Sequence, residues 1–177
     1  MAAQRVVVPP LYAIEPNDPL GWAAAIPRSR EAMSQIDSAI TAEFTARGLN
    51  GVWYFTPDLE KNYRVNSTYA ADPHRLAENT LRGSLEIGKT YGEPLATQLR
   101  TMIALQDGGR FVMMPVDVRF EKAAGGLGQA VLKLVLVDAR TTEFIWIGEV
   151  KSDPAAAFGP PVIASLANHF ADLVVAR

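Results

Sequence analysis

The sequence predicts an α/β (α+β) fold: a single mixed β-sheet with a C-terminal antiparallel three-strand meander, packed by helices on one or both faces. Three observations lead there. Residues 110–151 read with the period of strands, broken only at "AAGGLG" and "DARTTE". Within them, residues 131–137 are apolar on both alternating sets except at Lys133, the pattern of a central strand covered on two sides. Before and after this region, apolar residues recur at helical spacing: Met33, Ile36, Ile40 and Phe44, then Ile163, Leu166, Phe170 and Leu173.

Each element has its own local cause. "QRVVVPPLYAI" is a β-branched run broken by Pro9 and Pro10, which cannot donate to a ladder, so it predicts a short strand leading to an edge or bulge. Residues 9–27 form a proline-rich arm, and 15–27 predict a long ordered loop. Residues 29–47 predict a helix with Ser29 as cap, Glu31 at its positive end and Gly48 as stop. "GVWYF" predicts an inner strand. "TPDLEKNYRVN" predicts a helix with Thr56 as cap and Pro57 at its first position, and "DPHRLAENTLRG" repeats the device with Asp72 and Pro73. "EPLATQLRTMIALQDGG" is a further helix, with Leu95, Leu99, Met102 and Ile103 facing inward and two glycines at its end. The meander strands are expected near 110–121, 129–138 and 143–151. A final amphipathic helix closes the chain, with Phe170 against the sheet. All 177 residues are read as one domain.

Composition limits the function classes. Hydrophobic residues are 49% and charged residues 20%, the balance of a folded chain. A net charge of -2 offers no bulk attraction to nucleic acid or an anionic membrane. There are no cysteines, which removes disulfides, thiolate catalysis and thiolate metal sites. No apolar run reaches the roughly 18 residues of a membrane span, and "MAAQRVVVPP" lacks a signal-peptide pattern.

No catalytic constellation emerges. "AAGGLG" joins strand to strand, so its glycines serve a hairpin tip and not a phosphate. His74 and His169 have no ligand or base partner at useful spacing. Ser84 fails the nucleophile-elbow pattern. Neither a metal nor an organic cofactor is expected. Asp117 and Arg119 share a strand face and predict an ion pair; in a ligand-binding reading they line the pocket. Trp53 and Trp146 lie in apolar strands and are expected in the core. In the arm, Leu20, Trp22 and Ile26 are the apolar groups available. A loop tryptophan either pins its own loop or anchors a partner, and a partner contact is expected here. Asp138 ends a strand, where its carboxylate can accept from turn donors, and Phe144 and Trp146 are expected to face Leu136 and Leu134 across the hairpin.

That hairpin, "LVDARTTEFIWIGEV", with the loop and helix after it, resembles the end of a group of bacterial envelope domains. They are curli-secretion-channel-type lipoproteins, penicillin-binding-protein-activator lipoproteins and the N-terminal domain of the Tol-system propeller protein. "RVVVPPLYAI" and the helix at 29–47 resemble their opening strand and helix. Thr142 stands where that group usually has glycine, and the lipid-carrying cysteine is missing. The resemblance implies a non-enzymatic α/β domain that binds other envelope proteins, periplasmic or peripheral to a bacterial membrane, with the cytoplasm left open. The leading expectation is an accessory or structural subunit of a membrane-associated complex. The alternatives are a small-ligand-binding domain or an enzyme of unrecognised type, and homo-oligomeric assembly through an edge strand.

Overall fold

The computed structural model describes residues 4–106 and 109–175. Among them the sheet has six strands. β1 (Val6–Val7) and β2 (Ala13–Ile14) are both parallel to β4 (Phe111–Lys122), and β1 is also parallel to β3 (Trp53–Tyr54). β4, β5 (Gly128–Asp138) and β6 (Glu143–Lys151) pair consecutively and antiparallel, as the alternation predicts. The strand order is β3-β1-β4-β5-β6, so β1 is interior and not an edge. The expected bulge comes directly after β1: Val7 lies opposite Val112 and Ala13 opposite Asp117, six steps against five. The proline pair fills that detour, where no ladder donor is required.

Helices cover both faces. α2 (Ser29–Ala46) and α5 (Pro160–Val175) pack on one face, where Ile36, Ile40, Phe44, Leu166 and Phe170 meet Met113, Val118, Leu132 and Leu134. α4 (Leu95–Ala104) covers the other, bringing Leu95, Leu99, Met102 and Ile103 to Val112, Met114, Val135 and Val137. β5 is therefore central. Its Lys133 donates to the backbone carbonyls of Leu81 (2.7 Å) and Gly83 (3.0 Å), so the charge in the middle of the strand meets acceptors.

Two further bulges reset which face a side chain meets. On β4 the register shifts between Pro115 and Asp117, so Val112, Met114 and Val116 face α4 while Val118 and Phe120 face α2 and α5. On β6 the shift puts Val137 opposite Phe144 and Leu136 opposite Trp146. Phe144 thus faces Val137 and not Leu136 or Leu134, and Leu134 lies opposite Gly148. A one-residue insertion inverts every later side chain, and the alternation alone does not reveal it.

Other departures are local. Ser29 and Thr56 are the first residues inside α2 and α3 (Thr56–Val65); the caps are Arg28 and Phe55, and the Phe55 N–H donates to the Asp58 carboxylate at 3.2 Å. The arm contains a short helix, α1 (Trp22–Ala25), where a loop is expected. Asp18 nucleates it by accepting from the N–H groups of Leu20, Trp22 and Ala23 at 2.8–3.1 Å. The helix expected across 72–83 is instead a turn followed by a 3₁₀ segment, Glu78–Arg82. Of the glycines expected to end α4, Gly108 lies outside the described residues.

The β5–β6 turn explains the unusual threonine. Asp138 accepts from the N–H groups of Arg140 (2.9 Å) and Thr141 (3.3 Å), and Arg110 Nε donates to its other oxygen at 2.6 Å. Burial works against the ionised Asp138, but these donors prevail and hold its carboxyl below the ordinary range. The turn then requires φ +62° at Thr142, a conformation costly for a β-branched residue and free for glycine. Thr142→Gly is expected to raise the unfolding free energy by about 0.5–1 kcal/mol, since relief of strain outweighs glycine's greater unfolded entropy. Urea denaturation checks it; a loss of stability would show that the Thr142 side chain contributes more than its backbone costs.

Candidate functional site: a cleft with two acids

A cleft of about 860 Å3 opens where four chain segments meet. α2 forms one wall. Asp37 sits beside its buried stripe, one turn from Met33 and one from Thr41, so it faces the boundary between core and solvent. The second wall is the detour after β1. Freed from the ladder by the prolines, the Leu11 N–H donates to Asp37 Oδ1 at 2.9 Å. The third is the start of α3, with Thr56, Pro57 and Glu60. The fourth is the 72–78 turn. Asp72 accepts from the His74 N–H at 3.0 Å, and His74 Nε2 lies 2.9 Å from Glu60 Oε1.

Glu78 lines this cleft from the first turn of the 3₁₀ segment. It is 1% exposed, and its Oε2 has no hydrogen-bond partner among the described residues. An ionised carboxylate there would lack solvation, so burial raises its pKa well above the usual range, and the Asp37 charge pushes it further. Burial also lifts Asp37, to about 6, against the opposing Leu11 hydrogen bond and His74 charge. Burial thus favours the neutral form of both acids, most strongly at Glu78. Such a pair can donate a proton, accept a hydrogen bond or bind a cation.

The folded chain holds Asp37's proton more tightly than the unfolded chain does, so stability falls as pH rises from about 4 to about 6. Asp37→Asn keeps the acceptor for Leu11 and removes the charge. It is expected to raise unfolding free energy by about 1–3 kcal/mol in mildly alkaline buffer and to leave it nearly unchanged in acid. Thermal denaturation across the pH range tests this; equal effects at both ends would show that ionisation is not the cause.

The sequence-nominated residues lie elsewhere. Asp117 is buried on β4, and burial raises its pKa against the attraction of Lys133, Arg119 and Arg82. Arg119 instead pairs with Glu121 (2.8 Å) and, through two nitrogens, with Glu149 (both 2.8 Å). The two residues therefore share a sheet face without the direct ion pair expected, and neither lines the cleft. Trp22 is 7% exposed and covered by its own chain, 5.5 Å from Phe120 and 6.3 Å from Phe158. Leu20 and Ile26 are half-buried against the same core. The indole surface needed for a partner contact is thus already enclosed. His169 Nδ1 bonds the Lys151 carbonyl at 2.7 Å, and Ser84 lies exposed after the 3₁₀ segment. His74 does reach the cleft, through Glu60. Asp37 and Glu78 were not singled out by sequence, because 41 positions separate them and burial alone distinguishes them.

No family pattern and no curated protein matches the chain. Among solved structures it is similar to a PelC dodecamer from Paraburkholderia phytofirmans (10% identity, 98% of this chain and 88% of that one, TM-score 0.41). The LpoB C-terminal domain from Salmonella enterica is another (13% identity, 85% and 83%, TM-score 0.39). Lipoprotein GNA1162 from Neisseria meningitidis is a third (14% identity, 97% and 96%, TM-score 0.33). Of these, LpoB is a penicillin-binding-protein-activator lipoprotein, one of the kinds that the hairpin resembles. Among the described residues no helix is long and apolar enough to cross a membrane.

Proposed function

We propose that the chain is a non-enzymatic protein-binding domain of the bacterial cell envelope, an accessory or structural subunit of a membrane-associated complex. The observation that carries the binding role is the outer edge of β6. The 88–91 segment covers only its start, with the Gly88 N–H donating to the Phe144 carbonyl and the Phe144 N–H to the Lys89 carbonyl, each at 2.9 Å. Beyond that point β6 has no outer strand among the described residues. Ile145 and Ile87, 40% and 64% exposed, follow and precede this anchored pair, so both stand at one place on the edge. An open strand edge with exposed apolar side chains favours pairing with another chain, while the bulge at residue 145 and the charges of Glu149 and Lys151 restrict which chain fits. The envelope assignment is supported by the hairpin resemblance.

A photo-crosslinking residue placed at Ile145 in the native cell tests the reading, with one at exposed Gln35 on α2 as control. Expected is a discrete adduct with another envelope protein from position 145 alone. Adducts from Gln35 alone would overturn it, and an adduct with a second copy of this chain would turn it into self-assembly. The cleft favours a second reading, a ligand-binding domain, because it brings two perturbed acids to one open space.

A further inference from the structure

We propose that the cleft between α2 and the 3₁₀ segment binds an organic cation, an alkylammonium or guanidinium on an aliphatic stem, between the carboxyl groups of Asp37 and Glu78. The site is independent of the β6 edge and lies toward the opposite end of the sheet, next to the segment that leaves β1. The charged groups facing it divide unequally. Glu60 is engaged by His74 and Arg64, and Asp72 by Arg75 and the His74 N–H. Among the described residues, Asp37 receives a single backbone N–H and Glu78 Oε2 receives no donor. Arg30 also lines the cleft, on the exposed side of α2. The side chains left unsatisfied are thus two acids, and a cation with several N–H donors satisfies both at once. A buried carboxyl with an empty acceptor is costly unless something fills it.

The remaining lining fits a stem behind that charge. Leu11, Met33, Pro57 and Leu76 provide apolar wall, and Ser34 and Ser38 provide hydroxyl rim. The binding step balances simply. The neutral Glu78 carboxyl releases its proton to solvent, the carboxylate accepts from the ammonium or guanidinium, and no covalent bond to the ligand forms. Burial favours the protonated Glu78 in the empty cleft, so binding of the cation favours release of that proton.

Calorimetric titration of the full chain tests this at neutral pH in two buffers of different ionisation enthalpy. The probes are 1,5-diaminopentane and a short glycine peptide carrying one lysine. Expected is saturable binding of at least one probe with release of up to about one proton per site. Binding of the diamine identifies a free amine as sufficient; binding of the peptide alone identifies a side chain of another polypeptide. Glu78→Gln mimics the neutral acid and so preserves the fold, which circular dichroism verifies. It should weaken binding by about tenfold or more and abolish the proton release. No saturation by either probe below about 10 mM, or unchanged proton release in Glu78→Gln, overturns the proposal. Tighter binding of the dianion glutarate than of the diamine overturns it as well.

Discussion

Truncating Phe170 to alanine is expected to lower the unfolding free energy by about 3–5 kcal/mol, the range for a fully buried aromatic whose cavity does not collapse. Phe170 is 0% exposed and stands where α5 crosses α2. Its ring lies 5.0 Å from Phe44 at 64°, an edge-to-face contact. Phe44 in turn lies 5.0 Å from Trp53 and 5.3 Å from Phe55, so the cluster ties two helices to β3, the strand at one end of the sheet. Removing the Phe170 ring leaves Phe44 without its neighbour on that side, and side chains held by two helices and a sheet cannot close the gap. Guanidinium denaturation measures the effect. A loss under about 1 kcal/mol would mean that α5 does not dock there.

Trp22→Ala is expected to cost about 3–4 kcal/mol and to change partner binding only in proportion to the lost fold. The geometry is that of a tryptophan pinning its own arm. Its indole packs on Phe120 and Phe158 and lies over Gly128, where a Cβ would come within 2.6 Å of Cζ2 and 2.3 Å of Leu20 Cδ1. Glycine at that position is thus the seat of the arm. Gly128→Ala should destabilise by about 1–3 kcal/mol through overpacking, and by less in the Trp22→Ala background, because the two changes act on one contact. Melting temperature and crosslinking yield on the same variants separate the cases. An unchanged melting temperature with lost crosslinking would return Trp22 to the interface.

The meander was legible because its physics is local. Residues 131–137 are apolar on both faces apart from Lys133, and only a strand between two others uses both. The bulges at Val116 and Ile145 were not legible, since a register shift is fixed by the neighbouring strand. The 72–83 helix was misread for a visible reason. Asp72–Pro73 copies the opening of α3, but its two leucines, Leu76 and Leu81, are buried five positions apart, out of step with a helical face. Gln98 also takes the Ala77 N–H at 2.8 Å, a donor that a helix would have used. The cleft was invisible because it depends on burial of Asp37 and Glu78 together, and carboxylates in a sequence read as surface until the fold places them. Thr142 was the opposite case: the departure from glycine was plain, and the backbone angle supplies its meaning.

Lys133 also bears on how the wall of the cleft is held. The 66–92 stretch contains little regular structure, and it is held to the rest of the chain at separate points. Gln98 binds Ala77, the Lys133 ammonium binds Leu81 and Gly83, and 88–91 binds the start of β6. Burial of Leu76, Leu81 and Tyr91 in the core under α4 completes its attachment. Glu78 lies between the first two anchors, at the start of the 3₁₀ segment. A single ammonium from the middle of a central strand thus acts as a mooring for the segment that carries the acid on its flank.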